Sequence, residues 1–196
     1  MKFCSRCGGP LEVRVPEGDN RPRHVCQRCR TIHYQNPKIV AGCLPELADG
    51  RILLCRRAIE PRYGLWTLPA GFMENGETTL QAALRETLEE AGVRVTDPRL
   101  YIVFNLPHID QVYMMFRSRL PAPVFAAGSE SLEVALFEES AIPWDRIAFP
   151  VITETLRLYF TDRRQGRFPL HLGDIERLAG EPPRYRVHLP ARAELP

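Results

Sequence analysis

The sequence predicts an α+β fold, a mixed β-sheet sandwiched by helices and preceded by a small separate head. Three observations carry this. Two C-x2-C pairs stand within the first 29 residues, strand-like apolar runs recur from residue 38 to 138, and the period turns helical over 78–91 and again over about 147–160. With 196 residues, 44% hydrophobic and 26% charged, the chain can bury one real core with a satellite module beside it. No apolar run approaches the roughly 18 residues of a membrane span, so no membrane partner is expected. Met1-Lys2-Phe3-Cys4 lacks the apolar stretch of a secretory signal, which predicts a cytoplasmic location. A net charge of +2, from 26 basic and 24 acidic side chains, argues against a chain built mainly to grip nucleic acid.

Cys4 and Cys7 form one pair and Cys26 and Cys29 the other, with 18 residues between them. Each pair sets two thiolates on one tight turn, and Gly8-Gly9 give the first turn its backbone freedom. Two facing turns close a tetrahedron of sulfurs, the coordination structural zinc prefers, at a spacing expected for such a site. A chain without an export signal seldom keeps structural disulfides. His24 and His33 are nitrogen donors nearby, but four thiolates already complete the shell. A head of residues 1–34 is too small to bury its own core, so metal binding would supply its folding free energy. With no open position, Zn2+ here is structural. Cys43 and Cys55 lie inside apolar strand patterns and read as inert core thiols.

Residues 35–160 read as one domain. After Tyr34-Gln35-Asn36-Pro37, residues 38–44 and 51–57 read as strands joined by a turn over 45–50, a hairpin. Residues 63–72 are irregular, with breakers at both ends. Over 78–91, Leu80, Ala83, Leu84, Thr87, Leu88 and Ala91 share one helical face, and Gly92 is the stop. Strands recur at 93–96, 100–105, 111–120 and 133–138, and the second helix carries Val151, Thr155, Leu158 and Tyr159. Residues 161–196 are proline-rich without a sustained period, which predicts an irregular C-terminal tail.

The opposite face of the first helix carries the chemistry. Glu86, Glu89 and Glu90 lie at i, i+3 and i+4, and like charges at that spacing destabilise a bare helix. Water can screen them, or a hard divalent cation can bind them; oxygen ligands suit Mg2+ or Mn2+. Arg85 stands four residues before Glu89, placed to orient it.

Context decides between the two. From Gly71 the chain reads five residues, Glu77, seven residues, then Arg85-Glu86-Thr87-Leu88-Glu89-Glu90-Ala91-Gly92-Val93. This resembles the Nudix box, G-x5-E-x7-R-E-U-x-E-E-x-G-U with U apolar. Its seven fixed positions all match, at odds on the order of one in a million for a chance occurrence given average residue usage. The departure is Thr87, where the family has an aliphatic residue; its methyl still packs, at some cost in stability.

The resemblance implies a sheet–helix sandwich that hydrolyses a nucleoside diphosphate linked to another group. By the match, Glu86 and Glu90 are ligands of Mg2+ or Mn2+, Glu89 a ligand or the base that positions water, and Glu77 a support. Arg85 holds the glutamates in geometry, and the carbonyl of Ala70 is a further ligand. Family members add a carboxylate from outside the box; Glu130 and Glu133 are available, and Glu130 is favoured by its distance from Phe137. The ribbon together with Ile32–Pro37, Leu65–Glu74 and Ile142–Pro150 resembles the zinc-ribbon Nudix group that includes plant FAD and ADP-ribose pyrophosphatases. The substrate expectation is therefore a dinucleotide or nucleotide-sugar, FAD (giving FMN and AMP) first and ADP-ribose beside it. NADH is an alternative, although the Ser-Gln-Pro-Trp-Pro-Phe-Pro-like segment of the NADH pyrophosphatase branch is missing. A non-catalytic nucleotide-sensing regulator is the other alternative: Arg14, Arg21, Arg23, Arg28 and Arg30 make the ribbon basic enough to touch nucleic acid. The resemblance also implies a homodimer. For substrate contacts, Arg56 and its neighbour Arg57 follow an apolar strand and can meet phosphates, while Trp66, Phe72 and Trp144, with Tyr113 and Phe149, offer rings for an adenine or flavin.

Overall fold

The structure, a computed structural model, describes residues 1–180 and 183–189. It contains two compact units, Met1–Pro37 and a second beginning at Lys38. In the first, β1 (Leu11–Arg14), β2 (Arg23–Cys26) and β3 (Ile32–His33) form a three-stranded antiparallel sheet. Its buried side chains are Cys4, Pro16, Val25 and Cys26, too few for an apolar core. Each cysteine pair closes a turn, with Gly8 N–H donating to Cys4 O (2.9 Å) and Arg30 N–H to Cys26 O (3.0 Å).

The second unit is built on a mixed sheet of nine strands: β4 (Lys38–Glu46), β5 (Ile52–Arg57), β6 (Trp66–Thr67), β7 (Ala70–Phe72), β8 (Thr96–Leu106), β9 (Gln111–Arg119), β10 (Ser131–Phe137), β11 (His171–Leu178) and β12 (Arg184–His188). The order is β10-β5-β4-β9-β8-β11-β12, with β6 on β5 and β7 on β4; β4/β9 and β8/β11 are parallel and the other pairs antiparallel. Strand alternation separates two layers. Val40 and Leu44 of β4, Ile52 and Leu54 of β5 and Met115 of β9 pack with Val151, Ile152, Leu156, Tyr159 and Phe160 of helix α2 (Pro150–Gln165). Ala41, Cys43 and Phe116 pack with Ala82 and Ala83 of helix α1 (Thr79–Ala91). The expected sandwich is present. No helix among the described residues is long and apolar enough to cross a membrane.

Helix α1 is bounded as its sequence predicts. Thr78 caps it, accepting from Gln81 N–H at 3.2 Å while the Gln81 side chain accepts from Thr78 N–H at 2.7 Å, and Gly92 ends it in the left-handed region (φ 66°). The buried face is rotated slightly from expectation: Ala82 and Glu90 are buried, and Leu88 is 37% exposed. Thr87, fully buried, donates its hydroxyl to Ala83 O at 2.7 Å, so the family's aliphatic position is filled by a satisfied polar group.

Helix α2 departs from expectation at both ends. It starts at Pro150, because residue Phe149 before the proline is driven to extended backbone (ψ 139°), and it runs on to Gly166 (φ 65°). Residues 93–95 are not a strand; β8 begins at Thr96 and absorbs the 100–105 run.

The largest correction concerns the irregular tail predicted over 161–196. Residues 161–165 complete α2, β11 adds in parallel to β8, and β12 closes the edge; residues 181–182 and 190–196 lie outside the described residues. Strand β11 hides in sequence because Ile175 is its sole fully buried apolar side chain, and at Gly173 a Cβ would meet His188 O at 2.6 Å and Phe104 Cε1 at 2.7 Å. A buried polar group ties this addition down: Asp162 Oδ2 of α2 accepts from Tyr101 Oη (2.7 Å) of β8 and meets His171 Nε2 (2.6 Å) of β11.

Candidate active site

Strand β7 delivers Ala70, Gly71 and Phe72 alongside α1. Gly71 must be glycine: a Cβ there would lie 2.3–2.4 Å from the Glu86 carboxyl group. The carboxylate therefore occupies the space a side chain would fill. Its neighbour Arg85 is the clamp of the site. Its Nε and Nη2 donate to both oxygens of Glu77 (3.1 and 2.7 Å), its Nη1 to Glu86 Oε1 (2.7 Å) and Glu89 Oε2 (3.0 Å), and its Nη2 also to Phe72 O (3.2 Å). One guanidinium thus joins the loop, the strand and the helix, using the fork geometry that lysine lacks. Glu77 in turn accepts from Glu74 N–H at 2.6 Å. Arg85 and that amide hold the Glu77 carboxyl below its ordinary range.

The other carboxylates are under opposite pressure. Burial pushes the Glu86 carboxyl up despite Arg85. Glu90 is only 6% exposed; burial and the like charge of Glu86 push it up to about 8, against an Ala70 N–H that donates to its Oε2 at 3.2 Å. Exposed Glu130, whose carbonyl accepts from Ala58 N–H at 2.8 Å, adds its charge to the pressure on both. Glu89 is 58% exposed with one oxygen on Arg85. Glu86 and Glu90 thus lie beside the Ala70–Gly71 backbone, and both feel the charge of Glu130. Carboxylate oxygens under like-charge pressure are the donor type that a hard divalent cation prefers.

The substrate candidates divide. Phe72 is 47% exposed, with Lys38 Nζ 5.0 Å from its ring centroid, and is open to a ligand. Trp66 is a correction: 6% exposed, edge-on to Phe137 at 4.9 Å and paired across to Arg56, its ring belongs to the core. Trp144 is half-buried, edge-on to Phe160 at 6.4 Å and packed against the same core. Arg56 aims Nε at Glu133 Oε2, 3.1 Å away, an ion pair without hydrogen-bond alignment. Glu133 is thereby committed to Arg56.

In the first unit the four sulfurs of Cys4, Cys7, Cys26 and Cys29 lie within 4.8 Å of one another, with Cys4–Cys29 at 3.7 Å and Cys7–Cys26 at 3.5 Å. A zinc–sulfur bond of about 2.3 Å in a tetrahedron requires sulfurs about 3.8 Å apart, so the cluster fits Zn2+. The Thr31 hydroxyl and backbone hold the Cys29 thiol down to about 6, in thiolate form. His33 is not a fifth ligand here; its Nε2 meets Cys4 Sγ at 3.3 Å, a bond that steadies a ligand from behind.

Residues 2–35 match the Nudix N-terminal zinc-ribbon family and residues 36–156 the NUDIX domain. A NUDIX hydrolase of known structure from Nitrosomonas europaea is 57% identical, with a TM-score of 0.85 over 89% of this chain and 99% of that one. Among curated proteins, the NAD-capped RNA hydrolase NudC of Vibrio vulnificus is 36% identical over 101 residues, 52% of this chain and 36% of that protein. The Photobacterium profundum NudC is 31% identical over 167 residues, 81% of this chain and 59% of that protein. The chain thus spans less than two-thirds of the length of these curated relatives.

Proposed function

The chain belongs to the Nudix hydrolase family, and we propose that it is a metal-dependent diphosphatase of dinucleotides, splitting the pyrophosphate of a nucleoside diphosphate linked to another group. The observation that carries the reading is the pair of like-charged carboxylates beside one strand, half-buried Glu86 held over Gly71 by Arg85 and buried Glu90 held by the Ala70 N–H. An isolated fold has no use for such an arrangement; a cation and a polyanionic substrate do. Glu86, Glu90 and the Ala70 carbonyl would hold Mg2+ or Mn2+, with Glu130 closing the set from the β10 side. When bound, the ion neutralises pyrophosphate charge and makes hydroxide accessible near neutral pH. Glu89, exposed and with one oxygen outside the Arg85 contact, would be a further ligand or the base that takes the proton of the attacking water. Water oxygen joins one phosphorus, the bridging P–O bond breaks, and two phosphomonoesters leave. Arg85 and Glu77 keep the carboxylates in place and touch no substrate.

The names of the curated relatives support a nicotinamide dinucleotide at the front of the substrate order, ahead of the FAD expected from the zinc-ribbon group; ADP-ribose shares the ADP half of both. The test is AMP release from NADH, FAD, ADP-ribose, a nucleotide-sugar and an NAD-capped RNA oligonucleotide with Mg2+ or Mn2+. Turnover of at least one substrate, abolished by Glu86→Gln in a folded protein, is expected. Binding of ADP-ribose without turnover of any of the five would replace the diphosphatase by a nucleotide sensor.

A further inference from the structure

Helix α1 carries the carboxylates to its very end, and the carbonyls of its last turn need donors. Gly92 N–H supplies Leu88 O. The next two free carbonyls are met from outside the helix. Gly128 N–H donates to Glu90 O at 3.1 Å and Ala126 N–H to Ala91 O at 3.0 Å. Residues 124–128 belong to no strand or helix, yet alternate N–H groups of this segment fasten it to the turn that holds Glu89 and Glu90. Gly128 is what permits so close a seat. It is not among the residues with positive φ, so glycine is needed there for space and not for backbone freedom. A Cβ would stand 1.7 Å from Glu89 O and 2.9 Å from Glu89 C. Both atoms are helix backbone, so the loop and not the helix would have to give.

Just past this seat the chain turns. Ser131 N–H donates to Gly128 O at 3.1 Å, which puts Glu130 at the third position of a β-turn. The Glu130 carbonyl accepts from Ala58 N–H at 2.8 Å, directly after β5, and β10 begins at Ser131. The backbone of Glu130 is therefore strung between two anchors, the end of α1 through Gly128 and the end of β5 through Ala58. A carboxylate on an exposed loop is ordinarily free to wander. Here the backbone that carries it is referenced to the same helical turn as Glu89 and Glu90.

We infer that Gly128 is a positioning residue of the divalent-metal site: by seating its loop on the last turn of α1, it sets Glu130 in register with the carboxylates of that helix. The inference rests on the metal-dependent diphosphatase reading and adds a residue that lies outside the box and offers no side-chain ligand. Alanine at position 128 would push the loop back by about 1.5 Å before ordinary contact with Glu89 O is restored. Oxygen ligands of Mg2+ sit at about 2.0–2.1 Å with little latitude, so a retreat of that size takes Glu130 out of the set.

The experiment is calorimetric titration of the zinc-loaded, full-length protein with Mn2+, without substrate, for wild type, Gly128→Ala, Glu130→Gln and the double variant. The Mn2+ concentration giving half-maximal turnover is the second readout. Each single variant should bind Mn2+ about tenfold more weakly, the size expected when a support of a metal ligand is lost. The double variant should lie within about twofold of Glu130→Gln, because two changes acting on one ligand do not add. If Gly128→Ala does not fold, insertion of one glycine between Ser129 and Glu130 loosens the carboxylate without a clash and should cost the same factor. Wild-type Mn2+ affinity in folded Gly128→Ala, or in the insertion variant, would overturn the inference. So would a double variant about tenfold weaker than Glu130→Gln, since Gly128 would then act through the helix and not through Glu130. Unchanged affinity in Glu130→Gln, with Mn2+ binding lost in Glu86→Gln, would remove the positioning role and keep the diphosphatase reading. Mn2+ binding that follows the expected pattern, with no turnover of any dinucleotide, would sink the diphosphatase reading and leave the role of Gly128 standing.

Discussion

Replacing Gly71 by alanine isolates the geometry of the site from the stability of the fold. The added Cβ would stand 2.3–2.4 Å from the Glu86 carboxyl atoms. Ordinary contact begins near 3.4 Å, so the carboxylate must retreat by about 1 Å. Backbone strain plays no part, because Gly71 is not among the residues with positive φ and pairs with Ala41 as ordinary strand. The clash meets the far end of a flexible side chain, so the fold loses about 1 kcal/mol or less. Catalysis has no such slack: a displacement of about 1 Å in a positioned group costs about a hundredfold in rate. The contrast is Gly42→Ala, whose Cβ would lie 2.3 Å from Ala70 Cβ and 2.4 Å from Pro69 O, where β4 meets β7 and nothing flexible can give. The assay is kcat/KM on the best substrate against Mg2+ or Mn2+ concentration, with thermal unfolding alongside. Gly71→Ala should melt within about 3 °C of wild type, need roughly tenfold more metal, and turn over about a hundredfold more slowly; Gly42→Ala should lose stability first. A Gly71→Ala enzyme with wild-type rate and metal dependence would mean that Glu86 holds nothing where the structure puts it.

Glu90 makes stability fall as pH rises in zinc-loaded protein without Mg2+ or Mn2+. Its carboxyl titrates at 4.5 unfolded and at about 8 folded, so the native state holds the proton more tightly; stability is full below about pH 4.5, drains away up to about pH 8 and is level beyond. The loss is at most about 5 kcal/mol at 1.4 kcal/mol per unit, and melts of Glu90→Gln should lack it; equal pH slopes for the two proteins would refute the cause. Asp162→Ala should cost about 2–4 kcal/mol, a drop of about 5–10 °C in Tm, by stranding the buried Tyr101 hydroxyl, whereas Tyr101→Phe should cost about 1 kcal/mol. Elemental analysis should find zinc bound to wild type and lost from Cys26→Ser, with the NMR dispersion of residues 11–33 collapsing in the variant; a variant that keeps that dispersion would show that the head folds without its metal.

What was legible in the sequence is what chemistry fixes by residue type and spacing. Four cysteines and the run from Gly71 to Gly92 are readable because only thiolates, carboxylates and a glycine do those jobs. Helix α1 was bounded to within a residue, since Thr78, Gln81 and Gly92 are themselves the caps. The contacts of Arg85 were half visible: its glutamates are box residues, but its Phe72 partner is a backbone carbonyl, which carries no residue signature. Trp66 misled because a tryptophan between breakers reads as a surface ring, while β6 pairing turns it inward. Strand β11 escaped because its apolar residues, Leu172, Ile175 and Leu178, stand three apart and set no strand period.

The same helix that carries the carboxylates must also approach the sheet closely, and its residues reconcile the two. Ala82 and Ala83, both fully buried, let α1 settle on Ala41 and Cys43 of β4 with almost no side chain between backbones. Ala83 O accepts from Thr87 Oγ1 and from Cys43 Sγ at 3.5 Å, joining helix and strand directly. Only at that short separation can Glu86 reach over Gly71 and Glu90 reach Ala70 N–H. The closeness is also what buries Glu90 and raises its pKa. Stability lost there is offset by the capping box, the Gly92 stop and the Arg85 clamp, all within or beside one helix. The small residues around the box are therefore part of the site's geometry as much as the charged ones, since a larger side chain at Ala83 would withdraw the carboxylates from the strand without altering any of them.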